Sequence, residues 1–191
     1  MSGQERPITN QPPVMQAGED DEATFPRYAG PAFLSYGFRP FFLGGALFAG
    51  LAVLFWIALY AGKEHADFLY APRDWHVHEM LFGYLPALIA GFLLTAMPNW
   101  TDRMPLRGAP LLFLFLLWLT GRLLMAVPFA GASTSAALDG SFLALLALYV
   151  WREIVVAGVW DRAPIGILVS LYAITNILFH LSALQGVPTD F

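Results

Sequence analysis

The sequence predicts an all-α integral membrane protein, a helical bundle of about five transmembrane helices. Its composition is 58% hydrophobic and only 13% charged, whereas soluble domains are about half apolar and about a quarter charged. The mean hydropathy is positive. Uncharged or nearly uncharged stretches also recur along the chain, and they are long enough to cross a bilayer. Together these observations exclude an ordinary soluble domain.

The predicted spans are residues 40–61, 80–97, 109–127, 136–157 and 164–184. Each has the length and apolar character of a transmembrane helix. The fourth is the weakest, because Arg152 and Glu153 interrupt its end, and we expect these two side chains to reach the interface. The connections are short, which favours an up-and-down bundle. Pro86 should kink the second span and free a backbone carbonyl.

The residues before the first span have the composition of a disordered tail. They are rich in Gln, Pro, Thr and Asn, carry an acidic run at 19–22 and lack periodicity. We therefore divide the chain into a disordered cytoplasmic tail (1–36) and a transmembrane bundle (37–191). No basic start precedes an apolar core, so no cleavable signal peptide is predicted. The net charge of −4 argues against nucleic acid as a partner.

Arginine and lysine counts predict the orientation of the bundle. With five spans, the loops on one side of the membrane carry only Lys63 and Arg73. The tail and the loops on the opposite side carry Arg6, Arg27, Arg39, Arg103, Arg107, Arg152 and Arg162. The positive-inside rule therefore places the amino terminus in the cytoplasm and the carboxyl terminus outside. In this orientation most ionisable side chains within the spans gather in the outer half.

The run Trp75-His76-Val77-His78-Glu79-Met80 is the strongest functional signal, because imidazoles and a carboxylate at a membrane boundary are costly unless paired or coordinated. At 100° per residue, His76, Glu79 and Met80 share one helix face, and His78 points the other way. The two histidines cannot then ligate one ion from a regular helix. Small residues beneath His76 favour it as the inward imidazole. The same small residues are also typical of ordinary helix packing.

The fifth span carries Asn176 and His180 on a stripe of small and polar residues, which we expect to face the bundle. A neutral imidazole inside a membrane is a common haem or copper ligand. Alternatively, His180 hydrogen-bonds a backbone carbonyl or Glu79. His65, in a loop, is expected to be solvated.

Arg122, in the third span, must find an anion because it cannot lose its charge. It either forms a structural ion pair with Glu79 or Asp139, or binds the propionates of a haem. Met80 is either a soft ligand for reduced copper or part of the core. The chain has no cysteine, which excludes thiolate metal sites and a Cys-x-x-Cys-His haem attachment.

Several motifs resemble those of the NnrS family. They are GFRPFF at 37–42, WHVHEMLFG at 75–83, GFLLTA at 91–96, PNW at 98–100, LRGAP at 106–110, Gly121-Arg122, Asn176 and Phe179-His180. The resemblance implies a bacterial inner-membrane protein that contains haem, taken as b-type, and copper. It also implies an association with denitrification and with resistance to nitric oxide. By position, His76, His78 and His180 are the candidate metal ligands, and Glu79 and Met80 complete the candidate set.

The resemblance covers what looks like the amino-terminal half of the family architecture, since members are usually about twice this length. We therefore expect either a homodimer or a second half to complete the protein. The expected partners are membrane lipid and a small gas such as nitric oxide, and the carboxyl terminus is expected in the periplasm.

Three functions remain open at this point. The first is a haem- or copper-binding protein that protects against nitric oxide or signals its presence. The second is a membrane oxidoreductase that passes electrons from quinol through haem. The third is a metal-free structural subunit or half-protein, in which Arg122, Glu79 and His180 form only a hydrogen-bond network. The sequence does not decide whether the protein is an enzyme.

Overall fold

The structure, a computed structural model, describes residues 28–62, 70–127 and 129–185. These residues are all-helical, and five of the helices are long and apolar enough to cross a membrane. The predicted fold class is therefore confirmed. The spans are Phe38–Tyr60, Pro72–Thr101, Ala109–Ala126, Ala132–Ala157 and Trp160–Leu184.

The helices are α1 (Phe38–Tyr60), α2 (Pro72–His78), α3 (Leu85–Thr101), α4 (Ala109–Ala126), α5 (Ala132–Ala157) and α6 (Ala163–Leu184). A π-helical segment, Glu79–Tyr84, joins α2 to α3, so these three elements form one continuous span. A short 3₁₀ turn, Trp160–Arg162, precedes α6. Proline stands in the first turn of α2, α4 and α6, where its missing N–H breaks no helical hydrogen bond.

Neighbouring spans run in opposite directions. The Phe38 N–H, at the start of α1, donates to Thr95 Oγ1 near the end of α3 at 3.2 Å. Beyond α3, Arg103 Nε lies 2.5 Å from Glu153 Oε2 in the last turns of α5. At the opposite end, the rings of Trp56 in α1 and His76 in α2 stack with centroids 4.6 Å apart. Along their lengths, α5 packs against α4 and α6, and α1 packs against α3.

The second span is longer than predicted at both ends. It begins at Pro72 instead of residue 80, and it passes Pro98 to end at Thr101, where Asp102 adopts a left-handed conformation with φ of 51°. A proline close to a helix end removes only one backbone hydrogen bond. The side chain of Thr101 donates to the Met97 carbonyl at 2.8 Å in this last turn.

Pro86 has the predicted effect of freeing a carbonyl. The Leu85 N–H bonds to the Met80 carbonyl in the π register. The next bond of that register would join the Leu81 carbonyl to residue 86, which has no N–H. The Tyr172 hydroxyl of α6 donates to this carbonyl instead. Trp118 of α4 donates from Nε1 to the neighbouring Gly83 carbonyl at 2.8 Å, so side chains satisfy the distorted backbone.

The predicted tail ends earlier than residue 36. Ala32–Leu34 form a 3₁₀ turn, Leu34 is buried, and its carbonyl accepts a hydrogen bond from the Gly108 N–H at 2.9 Å. Residues 28–36 therefore contact the bundle. Residues 1–27, which make up most of the predicted tail, and the predicted solvated His65 lie outside the described residues.

Candidate metal centre

Six polar side chains are buried together at the end of the bundle where α2 begins and α6 ends. None is more than 4% exposed, although each would lose strong hydration in a membrane unless its partners replaced it. They come from the second, third, fourth and fifth spans. This buried polar cluster consists of His78, Glu79, Arg122, Asp139, Asn176 and His180.

His78 faces oxygen atoms at both ring nitrogens. Its Nδ1 lies 3.1 Å from Glu79 Oε1, and its Nε2 lies 3.1 Å from Asn176 Oδ1 and 3.4 Å from Asp139 Oδ2. Asn176 is held in this orientation because its Nδ2 donates to Asp139 Oδ2 at 3.0 Å. Both ring nitrogens therefore face acceptor oxygens. This geometry suits a ring that donates a hydrogen bond from each nitrogen, or a ring whose Nε2 binds a metal ion.

His180 lies between Asp139 and Tyr70. Its Nε2 is 2.8 Å from Asp139 Oδ2 and its Nδ1 is 2.5 Å from the Tyr70 hydroxyl. Burial, together with the nearby Glu79 carboxylate, raises the pKa of Tyr70 above its ordinary value, so the phenol keeps its proton at neutral pH. Tyr70 can therefore donate to Nδ1, which leaves the His180 proton on Nε2, facing Asp139.

Arg122 supplies the permanent positive charge of the cluster. Its Nη1 donates to Glu79 Oε2 at 2.8 Å, and its Nη2 pairs with Asp139 Oδ1. Glycine is needed opposite this side chain, because a Cβ at Gly83 would overlap the guanidinium. Two carboxylates against one guanidinium amount to one formal negative charge if both are ionised. A proton on a carboxylate or a histidine, or a metal ion, would balance it.

The cluster also offers a set of metal-ligating atoms. One atom each from His78, Asp139 and His180 lies within 4.8 Å of the others. Zinc or copper sits about 2.0–2.2 Å from such ligands, so the 2.8 Å and 3.4 Å separations to Asp139 Oδ2 are compatible with a shared ion. Two imidazoles and one carboxylate suit copper, zinc or iron.

A haem does not fit between these two rings. A porphyrin ligated by either Nε2 would need the space that Asp139 and Asn176 fill at 2.8–3.4 Å. Arg122 is also engaged by two carboxylates, which argues against the predicted propionate role. The donor set therefore fits one ion.

A family model described as "NnrS protein" matches residues 32–191. The chain belongs to the NnrS family. The predicted resemblance is confirmed, and membership fits a membrane protein related to nitric oxide. No curated protein and no solved structure matches the chain.

The structure corrects one prediction about the NnrS motif at 75–83. His78, instead of His76, is the inward imidazole, while His76 is half-buried and stacked on Trp56. The buried residues of this segment include Trp75, Glu79, Phe82 and Gly83. The small residues used to choose the inner face are buried as well, but the π turn Glu79–Tyr84 separates His76 from most of them and breaks the regular 100° spacing on which that choice depended. Glu79 is adjacent to His78 and shares its burial.

The other predicted site residues divide into those inside the cluster and those outside it. His180, Asn176 and Arg122 lie inside, and the polar stripe of α6 faces inward as expected. Met80 is half-buried, and its role as a copper ligand stays a prediction. Glu79 and Asp139 were predicted as alternative partners of Arg122, and the structure pairs Arg122 with both.

Asp139 and Tyr70 belong to the site although neither was predicted as a ligand or a ligand-positioning residue. Asp139 appeared only as a partner of Arg122, although an acidic residue inside a predicted span is itself a functional signal. Tyr70 stands in a loop, where no periodicity marks it. Its part in the site depends on a contact with a residue 110 positions away.

Proposed function

We propose that this NnrS protein binds one metal ion, copper, through His78, His180 and Asp139, and that it serves in the response to nitric oxide in the bacterial inner membrane. The observation that carries the proposal is that three ligand atoms meet where two buried carboxylates, Glu79 and Asp139, face a single arginine. Family membership supports copper and nitric oxide.

The surrounding side chains would prepare the ligands. With a metal ion on Nε2, neutral His180 would carry its proton on Nδ1 and donate it to the Tyr70 hydroxyl oxygen at 2.5 Å, in place of the hydrogen bond from Tyr70 in the metal-free site. Asn176 holds Asp139 at 3.0 Å, and such outer contacts orient metal ligands. Arg122 pairs directly with Asp139 and holds that carboxylate in position. Burial of all six cluster residues excludes bulk water. When bound, copper would supply a coordination position for a small gas such as nitric oxide.

Metal analysis of the purified protein tests the proposal. The chain should be purified in mild detergent, loaded with copper under reducing conditions and freed of loose metal by gel filtration. We expect about one equivalent of copper in the parent and less than a tenth of an equivalent in His78→Ala and His180→Ala. His76→Ala is the matched control, because it removes an imidazole two residues away that lies outside the cluster, and it should keep the metal.

Two results would overturn the copper assignment. Equal loss of copper in His76→Ala would show that the metal is bound on the His76 face of the helix, as the sequence first predicted. A Soret band with stoichiometric iron that depends on His76 or His180 would establish the haem that the resemblance implies, and its reduction by quinol would favour the oxidoreductase.

The second candidate is a metal-free structural network. It is favoured by the hydrogen bonds within the cluster, since each cluster residue already has a protein partner. Under this alternative the parent holds less than a tenth of an equivalent of any transition metal, and His78→Ala lowers only the thermal stability.

A further inference from the structure

A basic cavity of about 450 Å³ lies at the end of the bundle opposite the cluster. The loop after α3, the start of α4 and the last turns of α5 line it. Its lining combines arginines with apolar and aromatic side chains. We call it the arginine pocket, and it includes Arg103, Met104, Leu106, Arg107, Tyr149 and Arg152.

Positive charge exceeds negative charge in the arginine pocket. Asp102 and Glu153 also line it, against three arginines. Glu153 is only 3% exposed and is shared by Arg103, whose Nε lies 2.5 Å from Oε2, and by Arg152. A guanidinium has five N–H donors, so these pairings orient the two arginines and leave donors for a second anion.

The arginine pocket lies at the ends of apolar spans, where we expect lipid headgroups. It stands where three apolar spans end, since α3 ends at Thr101, α4 begins at Ala109 and α5 ends at Ala157. The Arg103 and Arg152 side chains are 33% and 61% exposed. Met104 is 46% exposed beside them, which gives the pocket an apolar rim. A ligand that carries both a phosphate and acyl chains would meet complementary surfaces.

We propose that the arginine pocket binds the headgroup of an anionic phospholipid, with the phosphate near Arg103, Arg107 and Arg152 and the acyl chains beside Met104 and Leu106. Basic pockets between the ends of transmembrane helices are suited to such headgroups. The acyl-facing rim favours a lipid over free phosphate. This site is independent of the metal site, which lies at the other end of the spans.

Lipid binding by the whole chain tests the proposal. The purified protein should be delipidated in mild detergent and titrated with phosphatidylglycerol or phosphatidylcholine, with bound lipid counted by native mass spectrometry. We expect phosphatidylglycerol to bind more tightly, and the double variant Arg107→Gln/Arg152→Gln to weaken it about 10- to 30-fold, the loss expected for two surface arginines. This double variant keeps Arg103, so the buried Glu153 retains a partner.

Arg162→Gln is the matched control. Arg162 lies at the same end of the bundle, where it pairs with Asp161 at 2.9 Å and stacks over Trp100, but it does not line the pocket. It should leave lipid affinity within about twofold of the parent. The double variant Arg107→Lys/Arg152→Lys keeps the charge and should recover most of the affinity, which separates charge loss from misfolding.

Three outcomes would overturn the proposal. Equal binding of the two lipids would show no headgroup recognition. Equal losses in Arg162→Gln and in the double variant would assign the effect to general surface charge. Inorganic phosphate that displaces the lipid completely, and binds alone with the same dependence on arginine, would make the pocket a site for free phosphate.

Discussion

The two ends of the bundle place arginine against buried carboxylate in opposite surroundings. At the cluster end, the Arg122 side chain is 4% exposed and faces Glu79 and Asp139, neither more than 1% exposed. At the pocket end, Arg152 is 61% exposed although its partner Glu153 is 4% exposed. One end therefore encloses its arginine within protein, whereas the other leaves its arginine largely exposed. The same type of ion pair is closed off at one end and accessible to a further anion at the other.

Replacing the arginine at each end should give the largest difference in the free energy of unfolding. Arg122→Met leaves Glu79 and Asp139 buried without their cation. Breaking a buried ion pair in this way should lower the free energy of unfolding by about 3–5 kcal/mol. Arg152→Met leaves Glu153 paired with Arg103 and should cost less than about 1 kcal/mol. The unfolding free energies of both variants can be measured in mixed micelles titrated with a denaturing detergent. Similar losses of stability in the two variants would contradict the difference in burial between the two ends.

A methyl group beside Arg122 tests how tightly the cluster end is packed. Gly83→Ala places a Cβ against the guanidinium and should destabilise the protein by about 1–3 kcal/mol, as overpacking does. Gly50→Ala in α1 is the control, because a Cβ there meets nothing within 4 Å. It should be neutral or stabilising by up to about 1 kcal/mol. The same unfolding titration would refute tight packing if Gly83→Ala matched the control.

Tyr70→Phe should have the smallest effect on stability and a measurable one on metal binding. The change removes one hydrogen bond to His180, worth about 1 kcal/mol of unfolding free energy. Loss of an outer contact typically weakens metal affinity about 10- to 100-fold, which competition with a copper chelator can measure. Tyr60→Phe, at a tyrosine that is 85% exposed, should change neither quantity. Unchanged copper affinity in Tyr70→Phe would remove its positioning role.

The spans were predictable because a bilayer demands long apolar helices, and composition reports this directly. The convergence of Arg122, Asn176 and His180 at one end followed from counting spans. The choice between His76 and His78 was not predictable from a regular helical wheel. It depends on which sector of the helix the other spans cover, and this sector includes the bulky Trp75 and Phe82. The arginine pocket also escaped prediction, since Arg103 and Glu153 are 50 residues apart.

The π-helical segment Glu79–Tyr84 sets the rotation of His78 relative to α3. A π turn holds one residue more than the α turn it replaces, and Trp118 and Tyr172 anchor its carbonyls to α4 and α6. If the same residues were wound as a regular α-helix, His78 would rotate by about 100° relative to α3 and its imidazole would turn away from Asp139. Deleting one residue there would instead restore regular winding and leave the flanking helices nearly in phase. When related sequences are aligned, a single gap at 79–84 is therefore compatible with an unchanged site.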